Sequence, residues 1–258
     1  MNSPIETQSE MGSLVLVPSF NEAENILVII NRLVGLNASL HVLVVDDGSP
    51  DGTGKLVESH TEFGRAVFLL SRAYKSGYAG ACKEGFNWAL EHGYTACVTM
   101  DADLSHDPAD VPLLLAEIEQ GADLAIGSRY KNGIRIINWP IRRLLLSSCA
   151  GLYIRTLCGL QLSDPTSGFK AISHKTLRAV DMDKCAAEGY GFIVEFHFFS
   201  WLSGKKIVEV PIIFTERRDG ASKMSSKIIL ESAVTVLRLA LLRFLPMGNT
   251  RRPRNSGE

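Results

Sequence analysis

Val98-Thr-Met-Asp-Ala-Asp-Leu-Ser-His-Asp-Pro108 joins the end of an apolar run to a turn. The run begins at Tyr94-Thr-Ala-Cys-Val98 and reads as a buried strand. It closes on two carboxylates one residue apart, Asp101 and Asp103. Ser105-His-Asp-Pro108 then punctuates the chain before a helical stretch from about Ala109 to Gln120. A carboxylate pair at the C-terminal end of a buried strand lies where an open α/β sheet binds its ligand.

The same unit repeats on either side. Ser13-Leu-Val-Leu-Val-Pro18 predicts a strand, with Asn21 or Glu22 capping a helix over 23–36. His41-Val-Leu-Val-Val-Asp-Asp47 predicts a second strand ending in carboxylates, then a Pro-Gly turn and a helix to about His60. Ala66 to Leu70 predicts a third strand, with a helix from about Ala81 to His92, and Asp123 to Gly127 predicts a strand after the opening motif. Strands alternating with helices, each strand a continuous apolar run, predict a mostly parallel, doubly wound α/β sheet buried on both faces. Right-handed crossovers then bring the strand C-termini to one edge. That edge collects Glu22, Asp46, Asp47, Asp101 and Asp103.

After Gly133 the pattern changes. A helix follows Pro140, a turn-rich loop over 164–169 leads to a strand, and a helix runs from about Glu188 to Ser203. Lys206 to Phe214 carries a proline and reads as an edge strand. Residues 1–12 read as a disordered tail, 13–224 as one domain, 225–245 as an amphipathic helix and 246–258 as a basic flexible tail. The last helix has a polar stripe of Glu231, Thr235, Arg238 and Arg243 and a wide apolar arc. Such an arc packs on a core or lies on a membrane or a membrane partner.

The bulk numbers set limits on this reading. The chain has 258 residues, 46% of them hydrophobic, and a net charge of -1. That supplies an ample core and does not suggest a broad basic face, so no nucleic-acid partner is expected. The five cysteines are odd in number and form no Cys-x-x-Cys pair, which argues against a disulfide framework or zinc knuckle. Each reads as small core packing in a reducing compartment. No apolar leader or uncharged run of membrane-spanning length occurs.

An Asp-x-Asp at a strand end suits a hard divalent cation, Mg2+ or Mn2+, that keeps positions open for phosphate oxygens. By itself so short a motif reads first as a turn-capping pair. Ser105 and His106 either complete the coordination or cap the next helix. Asp46 and Asp47 accept hydrogen bonds from a ligand or cap their own turn, as does Asp51. Arg129 and Arg217 follow strands and offer planar donors for phosphate, with Arg142, Arg143, Arg218 and Lys223 nearby in sequence.

Seven ordered stretches resemble the dolichyl-phosphate (polyprenyl-phosphate) mannosyltransferases of glycosyltransferase family 2, which have the A-type glycosyltransferase fold. They are Pro18-Ser-Phe-Asn-Glu22, Val45 to Thr53, Asp101 to His106, Gly127-Ser-Arg-Tyr130, Asn138 to Arg143, Asp164 to Phe169, and Arg217-x-x-Gly-Ala-Ser-Lys223. The resemblance implies transfer of mannose from GDP-mannose to a polyprenyl (dolichyl) phosphate, with inversion. The sibling alternative is a UDP-glucose-dependent undecaprenyl-phosphate glucosyltransferase. It implies that Pro18, Phe20, Glu22, Val45 and Asp47 line the nucleotide and that Asp101, Ala102 and Asp103 contact the donor. Asp101, Asp103 and Ser105 are the implied metal positions for Mg2+ or Mn2+. Arg129, Arg217 and Lys223 would hold the phosphates and, with Asp103, form the catalytic set; Arg143 and Ser147 would approach the acceptor phosphate. Phe20 stands where the family often has Tyr, and Ser105 where some members have Gln. Some members carry transmembrane helices after this domain; this chain resembles the soluble catalytic subunits. The implied location is peripheral on the cytosolic face of the endoplasmic reticulum or plasma membrane, with small membrane-embedded subunits as possible partners.

Overall fold

The computed structural model describes residues 11–73, 77–216 and 226–244. The chain opens with β1 (Met11–Ser19), α1 (Ile26–Val34), β2 (Leu40–Asp46), α2 (Thr53–Glu58), β3 (Val67–Ser71) and α3 (Gly77–Glu91). It continues with β4 (Tyr94–Thr99), α4 (Val111–Glu119) and β5 (Leu124–Ser128). The second part holds β6 (Ile136–Ile137), α5 (Ile141–Cys158), β7 (Lys170–Ser173), α6 (His174–Ala179) and α7 (Tyr190–Leu202). It ends with β8 (Ile207–Pro211), β9 (Phe214–Thr215) and α8 (Ser226–Phe244).

Seven strands form one sheet in the order β3-β2-β1-β4-β7-β5-β8. Neighbours pair in parallel, except that β7 runs antiparallel to both β4 and β5. The expected single edge of strand C-termini therefore holds for every strand of this sheet but β7. The strand order reverses between β1 and β4, the kind of point where such sheets leave a crevice. β8 is the outer strand beyond β5, and Pro211 ends it, as its proline leads one to expect. β6 and β9 form a separate two-stranded parallel sheet that the sequence did not reveal.

Alternation along the central strands divides the core into two layers. Leu14 and Leu16 of β1, with Leu43 and Val45 of β2, face one layer. Val15, Val17, Val42 and Val44 face the other. This period of two makes both faces of the sheet dry and explains the unbroken apolar runs. At Gly85 of α3, a β-carbon would come within 2.3 Å of Leu16 Cδ1, so the helix sits directly on β1.

Three expectations are corrected. Neither Asn21 nor Glu22 caps α1 through its side chain: the N-cap is Asn25, and backbone bonds from Asn25 and Ile26 to the Glu22 carbonyl make the turn. Of the five cysteines, Cys149 is exposed while the other four are buried. On α8 the supposed polar stripe does not face solvent as a unit: Thr235 is buried with Val236 and Leu239, and Arg238 reaches the buried Glu195. Val234, Leu237 and Leu241 point outward instead. No helix among the described residues is long and apolar enough to cross a membrane. Most of the expected tails, 1–10 and 246–258, lie outside the described residues, although β1 already begins at Met11.

Candidate active site

The loops after β1 and β2 are bound to each other by short polar side chains. Asp46 accepts from Ser49 N (3.1 Å), Ser49 Oγ (2.5 Å) and Ser19 Oγ (3.2 Å). Asp51 accepts from Thr53 N and Ala23 N, both at 3.0 Å, and Thr53 Oγ1 accepts from Glu22 N at 3.0 Å. Asp46 and Asp51 thus serve the turns. Asp47 is engaged differently: Arg72 Nη1 donates to it at 2.6 Å and Gly77 N, at the start of α3, at 2.8 Å. Pro18 and Phe20 are half-buried beside them, and Glu22 and Val45 are buried.

Pairing between β4 and β1 runs one residue past the strand, through Met100 N to the Leu16 carbonyl at 3.1 Å. That carries Asp101 to the crevice. Its side chain is 44% exposed, and Ala102 beside it is buried. Asp103 Oδ1 accepts from Ser105 N at 3.1 Å, closing a turn in which Leu104 takes a positive φ of 60°. Asp107 caps the turn that follows, accepting from Ala109 N at 3.0 Å, so neither Ser105 nor His106 is the cap. Instead Ser105 Oγ and His106 Nδ1 are buried without a hydrogen-bond partner among the described residues. Buried polar atoms are seldom left so unless a ligand or water meets them.

This donor set fits a hard cation. Asp101 and Asp103 supply carboxylate oxygens and Ser105 a hydroxyl. No group of three or more His, Cys, Asp or Glu among the described residues is arranged to hold a metal on its own. A cation bound at such a set would have positions open for phosphate oxygens, as Mg2+ commonly does.

The arginines approach from the far side of β7. Arg129, just past β5, makes a bidentate pair with the buried Asp164, Nε to Oδ2 at 2.6 Å and Nη2 to Oδ1 at 2.7 Å. Its backbone N also donates to Asp164 and its Nη2 to Thr166 Oγ1. Burial pushes the Asp164 carboxyl up, but the Arg129 charge and these bonds outweigh it and hold the carboxyl below its ordinary value. Asp164 is in turn positioned by Glu209 of β8, whose two oxygens accept from Ser163 N and Asp164 N, each at 2.8 Å. The Arg129 guanidinium lies 5.4 Å from the Trp139 ring and 5.5 Å from Phe214. Arg143 sits 4.2 Å over Trp139 and pairs with Glu216. Tyr130 OH donates to Ser147 Oγ at 2.8 Å, beside a cleft of about 280 Å³ lined by α5 and residues 163–166. Arg217 and Lys223 lie outside the described residues.

Tyr190, at the start of α7, is shifted above the ordinary phenol value by partial burial and then by Asp101, with Arg143 opposing, Asp103 adding and Arg129 opposing. Tyr190 is itself about half exposed; the contact between the two halves is Phe214, which packs on His106 and on the Arg129 guanidinium. His106 lies in the same field. Burial lowers its pKa to about 4, with Asp103 and Asp164 opposing and Arg129 and Lys170 reinforcing. The sequence reading did not single out Tyr190, Asp164, Glu209 or Arg72. The Asp164-Pro-Thr-Ser-Gly turn and the Tyr between two glycines at 189–191 were the available signals.

The profile described as "Glycosyl transferase family 2" matches residues 14–180. The undecaprenyl-phosphate mannosyltransferase of Micrococcus luteus is 45% identical, over 90% of this chain and 95% of its own. The polyprenol monophosphomannose synthase of Mycolicibacterium smegmatis is 41% identical, over 90% and 88%. Among solved structures, a glucosyl-3-phosphoglycerate synthase from Mycobacterium tuberculosis superposes with a TM-score of 0.65 at 19% identity, covering 92% of this chain and 80% of that one. That likeness concerns the fold.

Proposed function

Because the chain belongs to glycosyltransferase family 2, a nucleotide-sugar enzyme family, we propose that it transfers mannose from GDP-mannose to a polyprenyl phosphate with inversion. The observation that carries this reading is that Phe214 packs against both His106, which lies beside Asp101, and the Arg129 guanidinium, so the carboxylates after β4 and the arginine after β5 share one place. A diphosphate donor and a phosphate acceptor need both signs of charge at one place.

In this reading Phe20 stacks on the base, while Pro18, Glu22, Val45 and Asp47 line the nucleotide with Asp101 and Ala102. Asp101, Asp103 and Ser105 would hold Mg2+ or Mn2+, and such a cation would supply charge neutralisation for the departing diphosphate. The acceptor phosphate oxygen attacks the anomeric carbon from the face opposite the bond that breaks. One C–O bond forms, the C–O bond to the diphosphate breaks, and GDP departs with the electron pair. A phosphate monoester has a second pKa of about 6 and is already a dianion near neutrality. No side chain has to remove a proton, so positioning and charge stabilisation supply the rate. Arg143 and Ser147 guide the acceptor phosphate. Arg217 and Lys223 are assigned to the phosphates by sequence position, and Arg129, held by Asp164, presents a fixed cation to them.

The acceptor's lipid tail calls for an apolar surface. Ile141, Leu145 and Leu152 repeat at helical spacing and lie exposed along α5. Val234, Leu237 and Leu241 do the same on α8, which packs beside it through Tyr153 OH to the Ala233 carbonyl. Arg135 and Arg142 stand exposed near the α5 start. We assign this face to the cytosolic membrane surface, with small membrane-embedded subunits as alternative occupants.

The test is a matrix of radiolabelled GDP-mannose and UDP-glucose against a short polyprenyl phosphate, with Mg2+, Mn2+ or chelator. Lipid-linked mannose formed only with GDP-mannose and a divalent cation is the expected result. Preferential use of UDP-glucose would overturn the donor assignment, and full turnover in chelator would overturn the cation.

A further inference from the structure

His106 stands out as a buried group without a task. Its ring is sandwiched in protein, 3% exposed, stacked on Phe169 at 4.9 Å and edge-on to Phe214 at 5.2 Å. Those contacts are satisfied by any flat ring, and they leave Nδ1 buried with no hydrogen-bond partner among the described residues. The nearest carboxylate oxygen is Asp101 Oδ2, at 3.8 Å. That is too long for a hydrogen bond and about 1 Å from being one. The Asp101 side chain is 44% exposed, whereas the His106 ring is enclosed.

We propose that His106 is a positioning residue for Asp101: its Nδ1–H donates to Oδ2 and fixes the carboxylate plane toward the cation and diphosphate. This rests on the reading of Asp101 given above. A neutral donor suits the task, because it orients the carboxylate without cancelling the charge that attracts the cation. An arginine or lysine in the same place would compete with the metal. The arrangement also links the two halves of the site, since Phe214 touches both His106 and the Arg129 guanidinium, and Thr215 N donates to the Ser105 carbonyl at 3.1 Å. Ligand-orienting partners of this kind typically change metal affinity or activity 10–100-fold.

The test compares His106→Phe, which keeps the ring and removes the donor, with His106→Asn, whose amide nitrogen falls near the Nδ1 position. Mn2+ binding in the presence of GDP is read from the free-ion signal in electron paramagnetic resonance, alongside kcat, the KM for GDP-mannose and Tm. The expected result is a folded His106→Phe with Mn2+ binding and kcat both reduced about 10–100-fold, and recovery of most of each in His106→Asn. Wild-type Mn2+ binding and kcat in His106→Phe would overturn the proposal, as would an Asn variant no better than the Phe one. If His106→Phe does not fold, His106→Leu replaces it in the same comparison. Asp101→Asn is run in parallel. Impaired Asp101→Asn with unaffected His106→Phe sinks the His106 inference alone. Unimpaired Asp101→Asn sinks the reading of Asp101 on which it rests.

Discussion

Asp103 shows how one carboxylate is shared between structure and chemistry. One oxygen closes the turn through Ser105 N, so the side chain is held in place before any ligand arrives. Asp103→Asn keeps an oxygen for that bond and removes the charge. It is expected to lower metal-dependent kcat by about 10²–10³-fold, the scale of losing one electrostatic stabiliser, with Tm little changed. Steady-state rates over a Mg2+ series check this, and full activity would end the metal reading. Arg129 and Asp164 behave as a unit. Asp164→Ala leaves a buried guanidinium unpaired and is expected to destabilise the fold by about 3–5 kcal/mol, measurable by urea unfolding. His197 gives a pH signature. Burial drives its pKa down to about 3, with Lys170 reinforcing and its bond to the Pro165 carbonyl opposing. Above about pH 6.5 both folded and unfolded chains carry it neutral. As pH falls from there toward 3 the unfolded chain takes up a proton that the folded chain refuses. Stability then drops by up to about 1.4 kcal/mol per pH unit from this group. In His197→Asn the slope of stability against pH in that window is expected to fall by about one proton.

At the scale of elements, the parallel units up to β5 were legible because the apolar runs are unbroken and the inner strands β1, β2 and β5 are buried on both faces. The carboxylates that end them were legible for the same reason: a charged residue after such a run must leave the sheet at its edge. What stayed hidden depends on partners distant in sequence. β7 is only four residues long, and nothing in Lys170-Ala-Ile-Ser173 says that it runs antiparallel between β4 and β5. The stripe on α8 is interrupted because Thr235 is buried, while Arg238 stays exposed yet pairs with Glu195, 43 residues away. Arg129 was found as a cation, but its commitment to Asp164 was not, since a pairing 35 residues apart leaves no periodic trace. A packing prediction belongs here. Gly85→Ala gains helix propensity of up to about 1 kcal/mol but forces the buried Leu16 aside. A net loss of about 1–2 kcal/mol in thermal or urea unfolding is expected.

At the scale of the molecule, the two exposed apolar stripes lie on neighbouring helices, α5 and α8, and α5 carries Ser147 at the cleft. The double variant Leu145→Asp/Leu241→Asp is expected to keep the wild-type Tm, because both side chains are already exposed. It is also expected to lose flotation with anionic liposomes. Retained flotation would place the membrane contact elsewhere. A water-soluble short-chain acceptor should be turned over by this variant at close to the wild-type rate, separating docking from chemistry.

The antiparallel β7 has a consequence for the order in which the protein comes into being. The carboxylates leave β4, Arg129 follows β5, and the strand that lies between them in space is made some forty residues after β5. During synthesis, β4 and β5 wait with open edges that cannot close on each other, and sheet completion is a long-range event. A nascent chain released before Lys170 holds most residues of the site yet has no means to bring its acidic and basic halves to their final spacing. Ribosome-stalled chains ending before and after Ser173 should therefore differ sharply in protease resistance.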